Sequence, residues 1–245
     1  FRKIADVPGF LRVVSYPGRG AVLIGQDYDP GTFYSGPPKE YTWSAGAYVP
    51  GSVMALPEGV SLYSFVFADF GEGRLFLVSF DDDHHLVVYS GETRVWKSEE
   101  RYLTVDAVVM RPLIGLGAAL GGGQGAGNAS LPFGGSPDVS DKSRQVRIPG
   151  RMIAADLNGD GREDIIAAKN TEEAFLGGYK GGDLEVLSWT GMRLEPRWNI
   201  RDLPGPLLDL QVLRTEKGMS IKGLIRASGG LFGKDKVRVE TYEGK

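Results

Sequence analysis

The stretch Arg151-Met-Ile-Ala-Ala-Asp156-Leu-Asn158-Gly-Asp160-Gly161-Arg162-Glu-Asp164-Ile-Ile-Ala-Ala168 decides how this chain is read. Oxygen-bearing side chains stand at Asp156, Asn158, Asp160 and Asp164, which are relative positions 1, 3, 5 and 9. Gly161 occupies position 6, where the chain must turn sharply. A hard cation such as Ca²⁺ takes six to eight oxygens at about 2.3–2.6 Å. Short acidic side chains alternating on a tight loop can supply them, with the carbonyl of Arg162 completing the ring. The loop is not a helical calcium hand, because position 12 is Ala167 where a bidentate Glu is required. Its flanks, Met152–Ala155 and Ile165–Ala168, read as β-strands. The plainer alternative is a metal-free hairpin, since turns favour Asp, Asn and Gly for their own reasons.

Working outward, short β runs separated by Gly, Pro and Asp fill the chain. They include 12–16, 21–24, 65–67, 75–78, 86–89 and 237–242, and no segment carries a helical stripe over three turns. An aromatic residue followed closely by glycine recurs as Trp43-Ser-Ala-Gly46, Tyr89-Ser-Gly91, Trp189-Thr-Gly191 and Tyr242-Glu-Gly244. Discounting the long middle interval, the repeat is roughly 45–55 residues, the length of four short strands with their turns. This predicts an all-β chain, a β-propeller or propeller fragment of about four blades of four-stranded antiparallel sheets. The blades fall at about 9–59, 60–103, 150–203 and 204–245, as a single domain with an insertion at about 104–149.

Blade two carries Asp69-Phe-Gly-Glu-Gly73-Arg74 where blade three has its acidic loop, with glycines at the next two ligand positions. Blade four has Asp209 but no comparable loop. One cation is therefore expected rather than four. Blade four stops after its third strand, 236–243. Residues 1–8 read as an outer strand, either of a preceding blade or completing blade four. Phe1 begins in mid-pattern, so the chain reads as a piece of something longer. The insertion contains a glycine-rich run, 113–128, expected to be a flexible loop. It has no Gly-Lys-Ser/Thr and no correctly spaced dinucleotide fingerprint, so it is not a phosphate loop. Asn128-Ala-Ser130 has the form of a glycosylation acceptor, which a bacterial source would leave bare.

Composition sets outer limits. Among 245 residues there are 28 Lys+Arg and 31 Asp+Glu, a net charge of −3, against the basic excess of a dedicated nucleic-acid binder. The absence of cysteine removes disulfides, zinc–cysteine sites and thiol catalysis. No apolar run reaches the ~18 residues of a membrane span.

Asp156–Ile165 resembles the FG-GAP/VCBS repeat, the integrin-α-like propeller unit. Segments 17–26, 48–51, 95–102 and 148–152 extend the likeness to nearly the whole chain. Together they resemble the C-terminal propeller of VCBS-repeat envelope proteins of Geobacter-like deltaproteobacteria, in which an N-terminal TolB/FlgO-like domain precedes about six blades. The resemblance implies a periplasmic, outer-membrane-associated or extracellular protein with no established enzymatic activity, and further blades and an N-terminal domain beyond this chain. It implies one structural Ca²⁺ held by Asp156, Asn158, Asp160, Arg162 (through its carbonyl) and Asp164, with partners docking on the opposite face.

Other chemistry is thinner. Asp81-Asp-Asp-His84-His85 is read as a solvated hairpin tip, since neighbouring residues on a strand point apart and the two histidines cannot easily share a metal. They are the only histidines, and nothing sets either beside a nucleophile and a carboxylate. No spacing singles out a carboxylate pair for sugar hydrolysis. Trp43, Trp96, Trp189 and Trp198 are read as packing between blades rather than as sugar platforms. The expected function is a non-catalytic, calcium-stabilised binding or scaffold module for an envelope protein or glycan. The alternative is a carbohydrate-binding or carbohydrate-active propeller, marked by convergent carboxylates and an exposed Trp in a concave pocket.

Overall fold

The structure, a computed structural model, describes residues 7, 9–29, 33–104, 107–110, 145–172, 179–216, 218–227 and 236–243. It is an all-β, four-bladed propeller. Blade one is β1 (Phe10–Tyr16), β2 (Gly20–Asp29), β3 (Phe33–Ser44) and β4 (Ala47–Val53). Blade two is β5 (Phe65–Asp69), β6 (Leu75–Phe80), β7 (His85–Ser90) and β8 (Thr93–Arg101). A separate hairpin pairs β9 (Ala107–Met110) with β10 (Gln145–Ile148). Blade three is β11 (Ile153–Ala155), β12 (Asp164–Glu172), β13 (Tyr179–Trp189) and β14 (Leu194–Leu203). Blade four is β15 (Leu207–Thr215), β16 (Gly218–Ala227) and β17 (Lys236–Glu243). In every sheet each strand pairs antiparallel with the next in sequence. The first strands of successive blades, β1, β5, β11 and β15, pack side by side in that order.

The sequence of the central strands follows from being covered on both sides. Blades two and three each lie between two others, so both faces of their middle strands exclude water and those strands read as near-continuous apolar runs. In β6, Phe76, Val78 and Phe80 enter the cluster between blades two and three, while Leu77 enters the one between blades one and two. In β12, Ile165 and Ala167 join the former cluster, and Ile166 and Ala168 join the one between blades three and four. Alternation of side chains along a strand thus builds two interfaces from one segment.

Three of the aromatic–glycine copies mark one place, the turn from the third strand to the fourth: Gly46 joins β3 to β4, Gly91 joins β7 to β8, and Gly191 joins β13 to β14. In blade four Tyr242 closes the third strand, and Gly244 lies outside the described residues. The expected insertion is not loop alone, because its two ends pair as β9 and β10, segments rich in Val, Ile and Met. The glycine-rich run 113–128, Asn128 and the strand expected over 1–8 lie outside the described residues, apart from Val7. No helix among the described residues is long and apolar enough to cross a membrane.

Candidate metal loop and central cavity

The acidic loop joins β11 to β12 and is closed at its base by the Ala155–Asp164 strand pair. Three of its predicted ligands lie together at the tip. Asp156 accepts from the Gly159 amide through Oδ1 (2.7 Å) and from the Gly161 amide through Oδ2 (2.9 Å). Asp160 accepts from the Arg162 amide (2.8 Å) and from Asn158 Nδ2 (2.6 Å), while its own amide donates to Asn158 Oδ1 (3.2 Å). Gly161 at φ 82° permits the reversal that lets those amides face inward. The hydrogen bonds from Asn158 and from the Arg162 amide hold the Asp160 carboxyl below its usual range.

Asp164 is set apart. As the first residue of β12 it is buried, where the other three are at or near the surface. Ser188 donates to its Oδ1 at 2.5 Å. Its Oδ2 makes no hydrogen bond, although Arg197 Nη1 stands 3.5 Å away. Burial pushes this carboxyl above the usual range. Ser188 and Arg197 oppose that shift, while the charges of Asp160 and Asp156 add to it. Among the described residues no three acidic or histidine side chains converge into a ready-made ligand set. The backbone amides of the loop occupy the carboxylates of its tip, and at its base Asp164 Oδ2 has Arg197 beside it but no hydrogen bond. The side chain of Arg162 leans on Gly71 of blade two, where an added Cβ would come within 2.9 Å of its Cγ.

Sequence reasoning missed Glu163. Its amide donates to the Asp69 carbonyl (2.8 Å) and its Oε2 accepts from the Asp69 amide (2.8 Å), clasping the loops of blades two and three. Burial pushes the Glu163 carboxyl up, against the pull of the Asp69 amide. The blade-two loop is committed elsewhere: Asp69 Oδ1 accepts from the Gly71 amide (2.8 Å), Glu72 pairs with Arg74 (2.8 Å), and Glu72 accepts from Trp189 Nε1 (2.8 Å). Only tertiary contact could reveal the Glu163–Asp69 and Trp189–Glu72 partners, which stand far apart in sequence.

The histidine segment departs from a wholly solvated tip. Asp82 and Asp83 are exposed, but His84 is buried at φ 65° and its carbonyl accepts from the Tyr102 amide (2.7 Å). A ring nitrogen of His85 lies 2.9 Å from the Ser98 carbonyl. The fourth-strand end and residue 102 fold over this turn, which the local composition of Asp and His does not signal.

Three tryptophans pack. Trp189 stacks on Phe70 of blade two (5.4 Å, 16°) and abuts Phe76, and Trp96 and Trp198 sit against the two flanking core clusters. Trp43 differs: it is exposed and meets Tyr48 edge-on (5.0 Å).

Where the first strands of the blades face one another there is a cavity of about 680 Å³. Arg12, Tyr63, Phe67, Arg151, Met152 and Asp209 are among its walls, and Asp209 is the one acidic side chain among the described lining residues. Neither histidine lines it. The chain matches no protein-family model, and no curated protein matches it in sequence.

Proposed function

We propose that this propeller is of the FG-GAP/VCBS type and works as a non-catalytic binding or scaffold module of the bacterial envelope, with one structural calcium in blade three. The observation that carries the reading is Asp164 Oδ2, a buried carboxylate oxygen without a hydrogen bond at the base of a loop whose tip presents Asp156, Asn158 and Asp160. An all-oxygen, carboxylate-rich donor set suits a hard divalent cation. Asp156, Asn158, Asp160, Asp164 and the Arg162 carbonyl would hold it. Calcium would cancel the mutual repulsion of the carboxylates and pin the hairpin that Glu163 clasps to blade two. Because the ligands must be ionised, the gain fades in acid.

The placement in the envelope, outside the cytoplasm, and the existence of a protein or glycan partner rest on the resemblance of the repeat. The carbohydrate reading has one observation in its favour, the exposed Trp43 beside Tyr48. Against its catalytic form, the described residues of the cavity walls carry one carboxylate, paired with Arg151 at 3.2 Å, where sugar hydrolysis uses two.

The test combines thermal unfolding, in calcium and in chelator, with a panel of aryl glycosides. The midpoint is expected to rise by several degrees or more with calcium, to lose that response in Asp160→Ala, and no glycoside is expected to turn over. A midpoint indifferent to calcium removes the metal from the account. A hydrolysed glycoside moves the assignment to the carbohydrate reading.

A further inference from the structure

Arg12 lies on the inner strand β1, within an apolar setting. Its Nη1 donates to the Leu62 carbonyl (2.9 Å) and its guanidinium stands over the Phe65 ring (5.2 Å). No carboxylate of a described residue pairs with it. The charge that acts on it most strongly is another cation, Arg151. Arg151 enters the same cavity from the segment before β11, and its Nε is 3.2 Å from Asp209 Oδ1. Two guanidinium groups and one carboxylate give the described residues of these walls a net positive charge. An arginine has five N–H donors, so most of those on both side chains are uncommitted.

A desolvated charge without a counter-ion is expensive, and proteins pair such charges or supply a ligand. At about 680 Å³, the space falls within the range of small-molecule sites. Its other walls include Val14, Val66, Phe67 and Met152, which offer apolar contact beside the two cations. We propose that the central cavity binds a small organic anion, its carboxylate or phosphate group held between Arg12 and Arg151 and its apolar body against Val14, Val66 and Phe67. Consistent with a site lacking its counter-charge, burial and the like charge of Arg151 pull the Arg12 guanidinium down to about 10, still cationic at neutral pH. The cavity's described lining residues include none of the loop residues 156–164.

The experiment is calorimetric titration of the full chain, in buffer free of phosphate and carboxylate, with phenyl phosphate, benzoate and inorganic phosphate, and with benzyl alcohol as the neutral control. One equivalent of phenyl phosphate or benzoate should bind, and benzyl alcohol should not. The preferred anion names the head group, and competition by inorganic phosphate shows whether the head group suffices. Arg12→Gln and Arg151→Gln should each weaken binding by about tenfold or more, the worth of one charge-assisted hydrogen bond. Without ligand, Arg12→Gln should melt at or above the wild-type midpoint, because it removes a partly buried charge that no described carboxylate pairs. If Arg12→Gln does not fold, the half-exposed Arg151→Gln decides alone. Saturable binding of none of the three anions, or undiminished affinity in the folded variants, overturns the proposal.

Discussion

The first turns of blades two and three occupy the same place in the fold and have diverged in chemistry. In blade two, Asp69-Phe-Gly-Glu-Gly-Arg74 spends its acids on the protein: Asp69 on the Gly71 amide, Glu72 on Arg74 and on Trp189. In blade three, Asp156 and Asp160 accept only from amides and an amide side chain of their own loop, and Asp164 keeps an oxygen without a hydrogen bond. The two loops are also joined, through Glu163 to Asp69 and through Trp189 to Glu72. The difference teaches that a propeller turn can be stabilised in two ways. Its carboxylates can be satisfied by a neighbouring blade, or they can be left facing one another for a cation. On this account blade two took the first course through Glu72, held by Trp189 of blade three, and blade three took the second, with the neighbour's contacts serving as its anchor.

Trp189→Ala should break the comparison most severely. It deletes a ring stacked on Phe70 and packed on Phe76, and it orphans Glu72 from its indole donor. The expected loss is about 3–5 kcal/mol in urea unfolding. A loss below about 1 kcal/mol would mean the ring is not the joint between the two blades.

Glycine substitutions separate the loops more finely. Gly71→Ala meets a positive φ (77°) and a Cβ within 2.9 Å of Arg162 Cγ, whereas Gly159→Ala meets the same φ with nothing within 4 Å. The first should cost about 2 kcal/mol and the second about 1 kcal/mol, the conformational strain alone. Calcium should still raise the melting midpoint of Gly71→Ala, and should raise that of Gly159→Ala less. Equal costs and equal calcium responses would erase the distinction drawn between the two turns.

The smallest effect is electrostatic. The folded chain holds the Glu163 proton to a higher pH than the unfolded chain, whose value is near 4.5. Stability from this group is therefore greatest at low pH. It declines as pH rises from the unfolded value through the folded one, where a buried charge must form. Glu163→Gln keeps an acceptor for the Asp69 amide and removes the charge, so it should change stability at neutral pH by less than about 1 kcal/mol. Urea unfolding in chelator at successive pH values should show a shallower decline in the variant. Asp164, raised in the same direction, leaves a residual slope. Identical pH profiles would place the Glu163 carboxylate in water rather than against blade two.

The all-β propeller was legible because its signals are local. Strands flank Asp156–Glu163, near-continuous apolar runs such as Leu75–Phe80 mark strands covered on both faces, and an aromatic residue before glycine marks the outer hairpins. The acidic spacing was legible as a turn, with Asp156, Asn158 and Asp160 brought together at its tip. What could not be read were the effects of distance. Asp164 looks like one more loop acid in sequence, yet strand pairing with Ala155 carries it into the interior. Glu163 reads as an ordinary polar residue until Asp69, 94 positions away, supplies both of its partners. His84 sits in a run of aspartates and is buried by residues at the end of the blade. Arg12, one charge in a β run, gives no hint of Arg151 across the cavity.

Calorimetric titration of calcium into the wild type, Asp69→Ala and Asp160→Ala, near neutral pH, tests the central claim most directly. The account predicts one calcium per chain, retained in Asp69→Ala and lost in Asp160→Ala. No binding to the wild type, or one site abolished by Asp69→Ala and untouched by Asp160→Ala, would contradict it.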